Sequence, residues 1–169
     1  MSEVQEKSKP AEFIRRLEQL DTGDRARLKR SAGRTLNEAS DVIGTFYRAL
    51  PFGVHTSQEG IYFLVATLFP MAEGDAKGDL GYTLRQARTD RNAKGLDRRV
   101  QALLDADAAQ LPFRLRQAVH FLKSCGKPVD WTRLLEDLLA WEHPDHYVQQ
   151  RWARSYFSET NHLPTQSAK

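Results

Sequence analysis

The sequence predicts an all-α fold, a single compact bundle of about eight to nine helices. Three observations carry that expectation. Apolar residues recur at i, i+3/i+4 and i+7 along nearly the whole chain. No window keeps the alternation of a half-buried strand, and no Asn-Gly or Asp-Gly turn lies between apolar runs. Proline and glycine fall between the periodic segments, where helices start and stop. With 169 residues, 40% of them hydrophobic, the chain is long enough to bury one core.

Phe13, Leu17 and Leu20, with Ile14 beside them, mark a first helix, with Pro10 suited to its first turn. A short, very basic second helix spans Asp24–Ala32, with Gly33 placed to end it and Leu28 its one large apolar residue. Val42, Ile43, Phe46, Tyr47 and Leu50 form a third, stopped by Pro51. Thr56 or Ser57 caps a fourth, whose Ile61, Phe63, Leu64, Val65, Leu68 and Phe69 leave almost no polar face, so it is expected at the centre. Pro70 sits at its C-terminal end. A Gly/Asp loop over 73–79 leads to a fifth helix at Leu80–Arg88, and Thr89–Gly95 reads as an exposed loop. A sixth helix carries Leu96, Val100, Leu103 and Leu104 on one side, with Arg98 and Arg99 off that stripe. A seventh starts near Pro112, buries Phe113, Leu115, Val119 and Leu122, and ends at Gly126. Asp130 caps an eighth carrying Trp131, Leu134, Leu135, Leu138, Leu139 and Trp141. Pro144 opens a last helix through Tyr147, Val148, Trp152 and Phe157. The expected organisation is a flexible segment over 1–10, a helical domain over 11–158 that would divide into two lobes near 72–79, and a polar tail over 159–169.

A single cysteine, Cys125, rules out an internal disulfide and a Cys-based zinc cluster. No apolar run follows the first ten residues, so no signal peptide is expected, and the apolar stretch Ile61–Met71 is too short to span a bilayer. The expectation is a soluble protein of the cytoplasm. Net charge is only +3, but it is unevenly laid out. Arg25–Arg34 holds five bases and no acid, and Gly81–Leu104 sums to +4. Asp130–Asp145 sums to −4. Blocks of one sign are less common than mixed helix faces.

Catalytic patterns are weak. His143-Pro144-Asp145-His146 holds two imidazoles and a carboxylate, but a helix start there makes them capping or surface groups, and metal sites need three or four convergent ligands. Asp105-Ala106-Asp107 lies at a helix end, where a solvated carboxylate is ordinary, and Cys125 has no identifiable base. No phosphate loop, nucleophile elbow or HExxH is present. A non-enzyme without cofactor or metal is expected. Tyr62, Phe63, Phe69, Trp131, Trp141 and Trp152 lie on apolar stripes and read as core.

The arginines are the stronger signal, since guanidinium suits bidentate phosphate contacts. Arg27, Lys29, Arg30 and Arg34 crowd the first basic block. Arg85 and Arg88 lie one turn apart, Arg98 and Arg99 follow on the sixth helix, and Arg114 and Arg116 open the seventh. The basic blocks lack enough local acids to neutralise them, so a phosphate backbone held without base reading is the expected ligand. The competing expectation is a helical adaptor whose basic faces dock acidic protein surfaces.

An ordered series of segments resembles a known family. It runs through Phe46-Tyr47-Arg48 and Pro51-Phe52-Gly53 to Asp97-Arg98-Arg99-Val100-Gln101-Ala102-Leu103-Leu104-Asp105-Ala106-Asp107. It continues with Phe113-Arg114-Leu115-Arg116-Gln117-Ala118-Val119, Val129-Asp130-Trp131, Leu134–Trp141 and Val148–Arg154. Together these are similar to the CasB family, the small subunit of the type I-E CRISPR Cascade effector, over about Phe13 to Phe157. The resemblance implies a non-catalytic helical subunit that holds DNA in the R-loop of a crRNA-guided surveillance complex. The implied partners are single-stranded or unwound R-loop DNA, a crRNA–DNA hybrid, other Cascade subunits and a second copy of the chain, with no membrane. Lys29, Arg30, Arg99 and Arg116 match the family's basic positions best, then Arg98, Arg114 and Arg85. Ala108 stands where the family often has a base, and the Glu142–Tyr147 stretch has acids and histidines where some relatives are basic.

Overall fold

The computed structural model describes residues 2–72, 74 and 76–158, with the backbone alone for 2–8; the 159–169 tail lies outside the described residues. Among the described residues there are nine α-helices, three short 3-10 turns and no strand: α1 (Ser2–Glu18), α2 (Thr22–Arg30), α3 (Ile43–Ala49), α4 (Glu59–Leu68), α5 (Leu80–Gln86), α6 (Ala93–Leu104), α7 (Leu111–Ser124), α8 (Trp131–Leu139) and α9 (Tyr147–Phe157). No helix among them is long and apolar enough to cross a membrane.

α4, which has almost no polar face, lies at the centre, as its composition requires, with α2, α7 and α8 packed around it. Tyr62 meets Phe13 of α1 edge-on at 5.0 Å, and Phe63 meets Phe46 of α3 at 5.4 Å. The C-terminal half is anchored by three buried tryptophans, and each indole N–H finds an acceptor. Trp131 donates to the Ala72 carbonyl, Trp141 to the Ala106 carbonyl, and Trp152 to Asp137 Oδ2. The buried apolar residues form one connected cluster from Phe13 to Tyr156.

α5 and α9 cross closely because Gly81 has no side chain. A Cβ there would lie 2.3 Å from the Trp152 carbonyl oxygen. Asp79 caps α5 by accepting from Tyr82 N–H at 2.9 Å, and its other oxygen accepts from the Ser155 hydroxyl of α9 at 2.8 Å.

Helix ends account for most departures from the sequence reading. α1 starts at Ser2, so Pro10 lies inside it and not in its first turn. α2 starts at Thr22, two residues earlier than expected, with Asp21 as its cap. His55, not Thr56 or Ser57, caps the turn that leads into α4, its Nδ1 accepting from Ser57 N–H at 3.1 Å. Thr89 and Asn92 cap each other's backbone N–H groups, which shortens the expected loop before α6. Gly126 ends α7 as expected, at φ +68°, with Lys127 N–H returning to the Leu122 carbonyl. His143–His146 is a turn and not a helix start. His146 N–H returns to the His143 carbonyl, and His146 itself sits at φ 50° before α9. Asp130 caps α8 as expected.

Candidate nucleic-acid interface

α7 carries basic side chains to two neighbours. Its Arg116, His120 and Lys123 recur at i, i+4 and i+7, so they share one exposed face. On that side the Arg116 guanidinium lies so close to Gly33 that a Cβ there would meet its Nη1 at 2.7 Å. Lys123 stands beside Lys29 of α2, and the adjacent ammonium pushes the Lys123 pKa down. The other side of α7 faces α6. Arg114 and Arg99 line one narrow cleft there with Gln117 and Phe121, and the Arg99 guanidinium sits 6.0 Å from the Phe121 ring centre. Two basic blocks nearly fifty residues apart in sequence thus both reach α7.

The ten sequence-predicted residues divide by what their guanidinium or ammonium groups meet. Among the described residues, none of Lys29, Arg30, Arg98, Arg99, Arg114 and Arg116 has an ion-pair partner. Arg27 has only a long contact to Asp24, at 3.9 Å, and is half-exposed. The remaining three are engaged inside the chain. Arg34 bonds Asp41 at 3.1 Å and the Glu38 carbonyl. Arg85 donates to the Tyr156 carbonyl at 3.1 Å. Arg88 grips Asp97 with two parallel bonds, 2.9 and 3.0 Å, the fork geometry that suits guanidinium to carboxylate.

Asp97 also accepts from the buried Tyr156 hydroxyl at 2.6 Å. Arg88 foremost, and then this hydroxyl, hold the Asp97 carboxyl below its usual range. Burial, reinforced by Asp97, pushes the Tyr156 phenol well up. The acidic block is partly spent in the same way. The buried Asp137 accepts from Arg151 and from Trp152 Nε1, so it ties α8 to α9.

Sequence reasoning missed two things here. Lys123 belongs to the basic face, and its seven-residue spacing from Arg116 was the available signal. Phe113, expected in the core, is 58% exposed on the first turn of α7, with the Arg114 guanidinium 5.5 Å from its ring centre. Leaving that ring partly in water forgoes about 1 kcal/mol of burial. The helical stripe of α7 runs through Leu111, Leu115, Val119 and Leu122, and position 113 lies off it. Among the described residues no group of three or more His, Cys, Asp or Glu side chains is placed to hold a metal.

Several known proteins are similar to this chain. The family model described as CRISPR-associated protein Cse2 matches residues 24–157. A CRISPR-associated protein Cse2 from Thermus thermophilus is 36% identical over 124 residues, 68% of this chain and 70% of its own length. The crystal structure of M. ruber CasB superposes with a TM-score of 0.77 at 31% identity, covering 95% of this chain and 98% of that one. A chain in the structure of E. coli Cascade bound to a PAM-containing dsDNA target shares the fold, with a TM-score of 0.65, 22% identity, and coverage of 89% and 95%.

Proposed function

The chain belongs to the Cse2 family of CRISPR-associated proteins, and on that premise we propose that it is a non-catalytic small subunit of a crRNA-guided Cascade complex. In that complex it binds DNA backbone without reading sequence and stabilises the R-loop. The observation that carries the reading is the convergence of the two basic blocks on α7, through Arg116 at Gly33, Lys123 at Lys29 and Arg99 at Phe121. The contact set is Arg27, Lys29, Arg30, Arg98, Arg99, Arg114 and Arg116, joined by Lys123. Arg34, Arg85 and Arg88 are left out of that set because each already bonds an acceptor inside the chain.

The physical logic is a near balance. A guide–target hybrid is about as stable as the DNA duplex it replaces, so backbone contacts decide which form persists. Arginines on rigid helices supply such contacts by releasing counterions from the phosphates. The test is the Arg98→Ala/Arg99→Ala double variant, with folding verified by circular dichroism. Its affinity for single-stranded DNA should fall, and the slope of log affinity against log salt should flatten by up to about 1.4. Wild-type affinity and slope, with normal R-loop formation by the assembled complex, would reject the reading.

A second reading, docking to protein, is favoured by one observation. Phe52 is 100% exposed at the tip of the turn after α3. Lys9 and Arg16 of α1 hold that turn through the Gly53 and Leu50 carbonyls. An apolar knob on a fixed turn suits a protein neighbour, and a subunit that contacts both DNA and its neighbours would use both surfaces. Absence of nucleic-acid binding by the pure protein at low salt would leave docking as the whole function.

A further inference from the structure

The basic face carries aromatic rings that a phosphate-binding surface does not need. Phe113 is the more exposed of the two phenylalanines on α7, and a guanidinium, that of Arg114, lies 5.5 Å from its centre. Eight residues on, about 12 Å along the helix axis, the half-buried Phe121 has the Arg99 guanidinium 6.0 Å away. Arg99, Arg114 and Phe121 line one cleft. Ring and cation therefore pair twice along α7, once in the cleft with α6 and once on its first turn, where the ring is open to solvent.

In a duplex each base pair stacks on its neighbours and covers their faces, so a protein meets mainly phosphates and groove edges. An unpaired strand presents π-faces as well. Cations that track the backbone, interleaved with exposed rings, are the combination that holds single strands. We propose that Phe113 is a stacking platform for an unpaired nucleobase, so that the exposed surface of α7 takes single-stranded DNA in preference to duplex. This deepens the nucleic-acid reading above and rests on it. Stacking is indifferent to base identity, because every base has a face to stack, so the platform adds strand selectivity without sequence selectivity.

The test compares an oligothymidylate with a duplex of equal length, using the full chain at one salt concentration. Phe113→Ala should weaken single-strand binding about tenfold and leave duplex binding and the salt slope unchanged, since no phosphate contact is lost. Phe113→Trp should restore the affinity, and its added indole emission should be quenched when the strand binds. Phe113→Leu, apolar but without a π-face, should behave like Phe113→Ala. Equal loss for strand and duplex, wild-type binding by Phe113→Ala, or rescue by Phe113→Leu would each overturn the stacking proposal. Failure of the underlying reading looks different: the wild-type chain would bind neither probe. Because the Phe113 ring is largely outside the core, these variants should fold, and circular dichroism checks this.

Discussion

At the corner where α5 meets α9, Arg85, Arg88 and Arg151 end on the Tyr156 carbonyl, on Asp97 and on Asp137. On the faces of α2, α6 and α7, Lys29, Arg30, Arg98 and Arg116 have no ion-pair partner among the described residues. The residue types and helical spacings are alike in the two regions. What differs is whether another element brings an acceptor within reach. At the corner, Gly81 lets α9 approach so closely that Tyr156 lies beside Arg85 of α5. On the α7 side the neighbouring element is itself basic, and Lys29 faces Lys123. Bases at the corner hold the fold together, and bases on the open faces remain available to a ligand.

Substitutions can break that division. The largest effect is expected for Asp137→Ala, which strips the acceptor from Arg151 and from the buried Trp152 indole. It should cost about 3 kcal/mol in urea unfolding, with DNA affinity per folded molecule unchanged. Gly81→Ala comes next, at about 2 kcal/mol, because its methyl group would push α5 off the Trp152 backbone. Arg88→Ala should lower the melting temperature by less, since its side chain is 30% exposed, whereas Arg98→Ala should leave it unchanged and weaken DNA binding. A large stability loss from Arg98→Ala would show that the two regions are not distinct.

Acidity sharpens the same contrast. Asp97 has its pKa lowered in the folded state, so its contribution is present above the unfolded value, near 3.9, and is lost as pH falls through the lower folded value. Acid unfolding of Asp97→Asn should therefore lack part of the wild-type dependence below about pH 4. The smallest effect is expected at Lys123, whose pKa is depressed chiefly by Lys29. Protonated, this pair disfavours the folded state, and the penalty fades as pH rises through the depressed value. Lys29→Ala should return Lys123 to the usual lysine range, which NMR titration of its side chain would show.

Much of the helix pattern was legible because it is local. The stripes of α4, α6 and α8 and the caps at Asp130 and Gly126 depend on residues within two turns of each other. His146 was misread because Pro144 is compatible with both a helix start and a turn. Phe113 was misread because it stands beside the apolar stripe of α7, and composition alone does not say on which side of the boundary a ring falls.

By itself the sequence determined the all-α class, the central place of α4, the tryptophan-rich core and the two basic blocks. Those follow from periodicity and composition. Tertiary structure alone decided which bases are occupied, since Arg85 and Tyr156 are 71 residues apart and Tyr156 and Asp97 are 59 apart. An ion pair or hydrogen bond acts over a few ångströms of space, and sequence distance carries no trace of it until the helices have packed.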